Sequence, residues 1–265
     1  MRIVLFLLFT LYFVSLKPLI AVIELQPHRA YYTVTLEGRP TPQSSVVDVQ
    51  GTMLIEFSKV NEGWTVQERS DIRLIHDDGS TERNRWGYVT FESQDGSRLH
   101  FNTYRKIEGD LVEEIKGQAV RKDKKINVTY QKPQKKTLTI TEDVLFPTQH
   151  IKSLLEVAQK GESIFPRLVF DGSSEVGPSE INTFIGSKKV VPENPSADIE
   201  HQFANQPFWP VRFAVHSQGK IDYEPIYVTT QDLLPNGIIK QYVIDYGGIK
   251  IRGVLDRIEF LQEGS

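Results

Sequence analysis

Apolar and polar residues alternate at period two through most of this chain, and that period is the signature of half-buried strands rather than helices. The alternation is clearest where Trp64, Val66, Glu68, Ser70, Ile72 and Leu74 share one strand face while Thr65, Gln67, Arg69, Asp71, Arg73 and Ile75 share the other. One side is mostly apolar and the other mostly polar, as in an antiparallel strand with a single buried face. Val47, Val49, Gly51, Met53, Ile55 and Phe57 repeat the pattern upstream, with Gly51 expected to allow a bulge or bend.

Turn chemistry recurs at hairpin spacing. Asp77-Asp78-Gly79, Asp95-Gly96, Glu108-Gly109-Asp110, Asp171-Gly172, Asn236-Gly237 and Gly247-Gly248 separate runs rich in β-branched and aromatic residues. Strands are expected near 30–36, 46–58, 64–76, 81–93, 98–107, 111–120, 125–131, 136–141, 163–170, 180–188, 208–216, 224–231, 238–246 and 249–260. One segment changes period: Ile151, Leu154, Leu155 and Ala158 fall on one helical face, with Pro147 suited to a first turn and Gly161 to the end. The stretch 190–210 collects Pro192, Pro195, Pro207 and Pro210 and is expected to form a long ordered loop or flap. The expected fold is therefore mainly β, a many-stranded, antiparallel, strongly curved sheet with one main α-helix.

The first residues speak to location. Met1-Arg2 leads into an apolar run from Ile3 to Leu16, closed by Lys17-Pro18 and reaching Ala21. The run is about 14 residues long against the roughly 20 that a spanning helix needs, so residues 1–21 read as a secretory signal peptide and residues 22–265 as one exported β domain. No stable transmembrane anchor is expected once the leader is removed. Without Arg2 and Lys17, 29 basic residues face 34 acidic ones, a balance that argues against a nucleic-acid partner. The chain has no Cys, which removes thiol nucleophiles, thiolate metal sites and lipidation of an N-terminal Cys.

No constellation of residues announces catalysis. His28, His76, His100, His150, His201 and His216 form no metal-binding pair, and Glu113 and Glu114, adjacent in a strand, point to opposite faces. Residues 172–177 are spaced one residue too long for a nucleophile elbow, and Asp77-Asp78-Gly79-Ser80 lacks the alternating ligands of a calcium loop. No cofactor is expected, and the reading is non-enzymatic, with a hydrolase as the remote alternative. Two groups are candidates for binding. Trp86, Phe208 and Trp209 border Pro- or Gly-containing segments and are placed at the mouth of an interior cavity. Arg121, Lys122, Lys124, Lys125, Lys132, Lys135 and Lys136 either form a basic hairpin that touches an anionic surface or protect a sheet edge from unwanted pairing.

Six further segments carry a resemblance. Gln26-Pro27-His28-Arg29-Ala30-Tyr31, Leu145-Phe146-Pro147-Thr148-Gln149-His150 and Phe170-Asp171-Gly172 resemble the EipB-like family of cell-envelope integrity proteins, as do Leu234-Pro235-Asn236-Gly237-Ile238, Asp245-Tyr246-Gly247 and Gly253-Val254-Leu255. The resemblance implies a periplasmic protein of Gram-negative bacteria with a spiral or incomplete-barrel sheet, loosely similar to periplasmic lipoprotein carriers. It implies action through an envelope partner, either a protein such as a periplasmic helical-repeat protein or a lipid, with carriage of a lipid or acyl chain as the alternative. It supplies no catalytic residues. Family members carry a disulfide from the turn near 61–62 to the C-terminal region; lacking Cys, this chain forgoes that link and its usual 2–5 kcal/mol, roughly. In physical terms Pro147 preorganises the helix entrance, Thr148 and Gln149 are placed to satisfy local backbone groups, and His150 is a structural donor or a pocket residue.

Overall fold

The computed structural model describes residues 22–141, 143–195, 198–217 and 224–262. The leader, residues 1–21, lies outside the described residues. The strands are β1 (His28–Leu36), β2 (Val46–Val60), β3 (Gly63–His76), β4 (Thr81–Ser93), β5 (Arg98–Ile107), β6 (Asp110–Lys122), β7 (Lys125–Lys132), β8 (Lys136–Ile140) and β9 (Val144–Leu145). Helix α1 (Pro147–Gln159) follows, then β10 (Ile164–Val169), β11 (Ser179–Ile185), β12 (Lys189–Val190), a 3-10 helix (Asp198–Phe203), β13 (Pro207–Ser217), β14 (Tyr227–Leu233), β15 (Ile239–Asp245) and β16 (Lys250–Phe260).

These strands make one sheet in the order β8-β7-β6-β5-β4-β3-β2-β1-β16-β15-β14-β13-β11-β10-β9, with β12 added beside β13. Every pairing is antiparallel except the short β9–β10 contact. Hairpins build the arm from β1 to β8, the other arm adds the α1 crossover between β9 and β10 and the long β11–β13 connection, and the pairing of β1 with β16 joins the arms into a nearly closed barrel with one seam, between β8 and β9. The expected mainly β, strongly curved sheet is the fold observed. Two strands escape the sequence reading, β9 and β12, because two residues carry no period. Gly51 hosts no bulge: the β2–β3 register runs through it, and the irregularity lies between Val46 and Asp48. Gly51 instead allows close approach, since a Cβ there would stand 2.5 Å from the Asp71 carbonyl oxygen.

One end of the barrel is plugged from inside. Helix α1 buries Leu154, Leu155 and Ala158 against Trp64, Phe165, Trp209 and Leu233. The stretch 190–210, expected to be a long ordered loop or flap, contributes a second plug from its described residues: Val191 and Phe203 are fully buried with Ala30, Leu234 and Ile238. Its prolines misled, because Pro207 and Pro210 lie within β13 itself. Pro210 is tolerated there since β11 ends at Ile185, opposite Val211, so the β11–β13 ladder needs no donor from it.

Candidate functional site

Cross-strand register fixes what lines the interior. Tyr32 faces Met53, Met53 faces Ser70 and Ser70 faces Trp86, making one inward row across four strands. The next row runs Ala30, Ile55, Glu68, Tyr88 and Thr103. Along β3, Trp64 is buried at the plugged end, whereas Val66, Glu68, Ser70, Ile72 and Leu74 each keep free surface although they point inward. Along β4, Glu92, Thr90 and Tyr88 are buried while Trp86 and Asn84 keep free surface. The interior is packed around α1 at one end and around Val34, Val49 and Ile251 at the other, where Met53, Ile72 and Leu74 lean on that second cluster. The lumen is the stretch between them, bordered by Glu68, Ser70 and Trp86, which keep free surface.

Tyrosines build the centre of the lumen. The rings of Tyr32 and Tyr242 are 5.5 Å apart, and Trp86 stacks on Tyr88 at 5.7 Å with planes 5° apart. Tyr32 donates its hydroxyl to the Ile239 carbonyl oxygen at 2.8 Å, and Tyr88 donates to the Asp171 carbonyl oxygen at 3.2 Å. The second bond crosses the barrel and fastens the β10–β11 connection. There Gly172, at φ +77°, lies against the Phe101 ring where a Cβ would fall 2.1 Å from it. The Asp171 carboxylate accepts from the main-chain N–H and the hydroxyl of Ser173 at 2.8 and 2.7 Å.

Glu68 is the one carboxylate in these rows. Protein encloses it, yet its side chain borders the lumen, and burial pushes its carboxyl up to about 7 with Asp171 adding to the rise. Burial also raises the phenols of Tyr32, Tyr88, Tyr227 and Tyr242, each of which feels the charge of Glu68. No group among those described offsets Glu68: it has neither hydrogen bond nor ion pair. Among the described residues no three His, Asp or Glu converge into a metal-binding group.

The residues singled out in the sequence are dispersed. Trp86 does line the lumen. Phe208 and Trp209 do not form a mouth, and this is a correction: both are buried in β13, Trp209 beneath α1 and Phe208 under the Lys240 ammonium at 4.6 Å. The basic residues are not one patch. Lys122, Lys124 and Lys125 sit at one end of β7 and Lys132, Lys135 and Lys136 at the other, roughly 23 Å apart for a strand of eight residues. Arg121 is not a surface contact at all. It donates to the Val144 carbonyl oxygen at 2.7 Å and to Gly96 at 3.3 Å, and its guanidinium lies 5.1 Å from the Phe146 ring centre, so it stitches the seam. Lys136 begins the edge strand β8 and donates to the Glu175 carbonyl oxygen at 2.9 Å.

The Leu145-to-His150 segment joins seam to plug. Leu145 pairs with Val169 in β9, Phe146 is fully buried, and Pro147 opens α1. The helix entrance is satisfied from outside, by Glu92, rather than by the side chains of Thr148 or Gln149. His150 stacks on Phe165 at 5.6 Å, and burial, reinforced by the charge of Arg167, lowers its imidazole to about 4. The residues that sequence reasoning missed are Glu68, Tyr32, Asp171, Tyr227 and Tyr242. Only Glu68 left a signal, as the single charged member of an otherwise inward-facing row.

Comparison with known proteins agrees with this architecture. The family model described as EipB-like matches residues 19–262. The cell envelope integrity protein EipB of Brucella abortus is 29% identical over 245 residues, covering 91% of this chain and 86% of that protein. A crystal structure from Brucella abortus, described as a β-barrel-like protein of a domain of unknown function, superposes with a TM-score of 0.82 at 28% identity, over 91% of this chain and all of the other.

Proposed function

Since the chain belongs to the EipB-like family, we propose that it is an exported factor supporting cell-envelope integrity, and that it works by binding an elongated apolar or amphipathic envelope molecule in its lumen rather than by catalysis. The observation that carries this reading is the row of inward-facing residues that keep free surface between the two packed ends. Ile72, Leu74, Met53 and Trp86 point inward and still keep free surface, although filling such space with larger side chains would have been worth about 1.5–3 kcal/mol per residue. A curled sheet whose inward face is incompletely filled between two packed ends is suited to an elongated apolar guest. The leader-like start and the name of the Brucella relative support an envelope location.

A second reading, docking of an envelope protein on the outer face, is favoured by one feature. A cleft of about 630 Å³ is lined by Tyr31, Leu54, Arg69, Tyr104 and Arg257, outward in register, as well as by Tyr32, Met53, Ser70 and Trp86 of the inward row. Complementation of a deletion strain separates the two. Ser70→Trp fills the lumen between Met53 and Trp86, whereas Thr52→Trp places the same bulk on the outward side of the cleft. The lumen reading expects Ser70→Trp to fail in restoring detergent resistance and Thr52→Trp to succeed; the reverse pattern rejects it.

A further inference from the structure

Glu68 is a largely enclosed carboxylate without a counter-charge, which proteins rarely retain because a poorly solvated lone charge is costly. Its neighbours do not relieve it. Tyr32 and Tyr88 spend their hydroxyls on the main-chain carbonyls of Ile239 and Asp171, so what they turn toward the space around Glu68 is aromatic surface. Tyr227 and Tyr242 add rings from β14 and β15, on the opposite arm of the sheet. Two inward-face cations lie farther off: Arg105, across from Trp86 on β5, is exposed, and Lys240, four strands away on β15, is held by Glu200 at 2.7 Å.

A second observation is independent of the carboxylate. Thr103 and Thr229 are inward-facing and buried, 4% and 8% exposed, and the hydroxyl of each has no partner. Thr103 stands directly across from Tyr88, and Thr229 is two residues along the same face from Tyr227. Thr103, two strands from Glu68 in the same row, and Thr229, on the opposite arm, are thus unpaired buried hydroxyls on the inward face that bears the unpaired carboxylate, polar groups that a ligand could satisfy.

Resting on the lumen reading above, we infer that the bound molecule is an amphiphile whose head carries an ammonium group, seated against Glu68 among the tyrosine rings, with its chain along Met53, Ile72 and Trp86. The chemistry selects this class. A carboxylate pair excludes an anionic head. A hard metal ion wants several oxygens, while Asp171 is committed to Ser173 and Glu68 stands alone. Aromatic faces around one carboxylate are instead the recognised cradle of an organic cation.

Isothermal titration with four probes below their micelle concentrations tests this: dodecyltrimethylammonium, dodecyl maltoside, dodecyl sulfate and tetramethylammonium. Near pH 8 the dodecylammonium probe is expected to bind at least about tenfold tighter than either other dodecyl probe. Glu68→Gln removes that preference while leaving dodecyl maltoside binding unchanged, which also shows that the variant is folded. The preference also fades toward about pH 5.5, where Glu68, facing Tyr32, Tyr88, Tyr227, Tyr242 and Asp171, takes up a proton. If all three dodecyl probes bind alike and Glu68→Gln changes nothing, the ammonium inference is overturned while the lumen reading stands. If no dodecyl probe binds, both fall. If tetramethylammonium binds as tightly as its dodecyl counterpart, the ligand is a soluble amine and the amphiphile is rejected.

Discussion

The carboxylate of Glu92, near the end of β4, accepts the main-chain N–H of Thr148 at 2.6 Å and so caps a helix 56 residues away in sequence. Its other oxygen accepts from the N–H of Gln149 at 3.1 Å. The N-cap position, Phe146, offers no side-chain acceptor, so these donors depend wholly on the strand. Sheet and plug are therefore one cooperative structure. Glu92→Ala leaves two buried donors unpaired and is expected to cost about 2–4 kcal/mol in urea denaturation, with Glu92→Gln costing less.

Arg121 does for the seam what Glu92 does for the plug. Its bond to Val144 is a charge-assisted contact from β6, two strands in from the edge strand β8, to β9 across a seam where β8 and β9 have no ladder of their own. Arg121→Ala is expected to lower stability by about 1.5–3 kcal/mol and to speed amide exchange at residues 144–146 and 168–170 more than in β2 or β3. Uniform exchange would show that the seam does not rely on it.

His150 predicts an acid-side loss. Its imidazole, ordinarily near 6.5, titrates in the folded protein at about 4, so between those values the unfolded chain binds more protons and stability falls as pH falls. The shift corresponds to about 3 kcal/mol at most. His150→Phe preserves the stack on Phe165 and removes the titration. Thermal unfolding from pH 7 to pH 4 should therefore show a shallower decline in the variant than in the parent.

Glu68 acts with the opposite sign. Its carboxyl is raised from 4.5 to about 7, so the folded chain binds more protons in that window and stability falls as pH rises through it. Glu68→Gln is expected to stabilise the protein by about 1–3 kcal/mol near pH 8, lumen water screening part of the charge, and to leave it unchanged below about pH 4.5. A variant less stable than the parent near pH 8 would mean that Glu68 has a structural partner.

Much of this fold was legible because strands advertise themselves at period two. The face of Trp64, Val66, Glu68, Ser70, Ile72 and Leu74, read from alternation alone, is the inward face of β3. Helix α1 was legible for a related reason, its apolar offsets and Pro147 being local. What was not legible is what depends on closure. The approach of Tyr32 to Tyr242 needs β1 to pair with β16, a contact that no local pattern specifies. Arg121 looked like one cation in a basic run because its acceptor, the Val144 carbonyl, is backbone and carries no sequence signature. Phe208 and Trp209 looked like a pocket mouth because they border a Pro-rich stretch, and only the end of β11 explains why a strand tolerates Pro210.

The central claim, that the incompletely filled lumen of the barrel holds a ligand, is tested most directly by native mass spectrometry of the protein taken from its own periplasm. The account predicts a non-covalent adduct of one elongated amphiphile, released on activation and absent from Ser70→Trp. A spectrum showing only the bare mature chain, under conditions that preserve a known lipid carrier's complex, would contradict it.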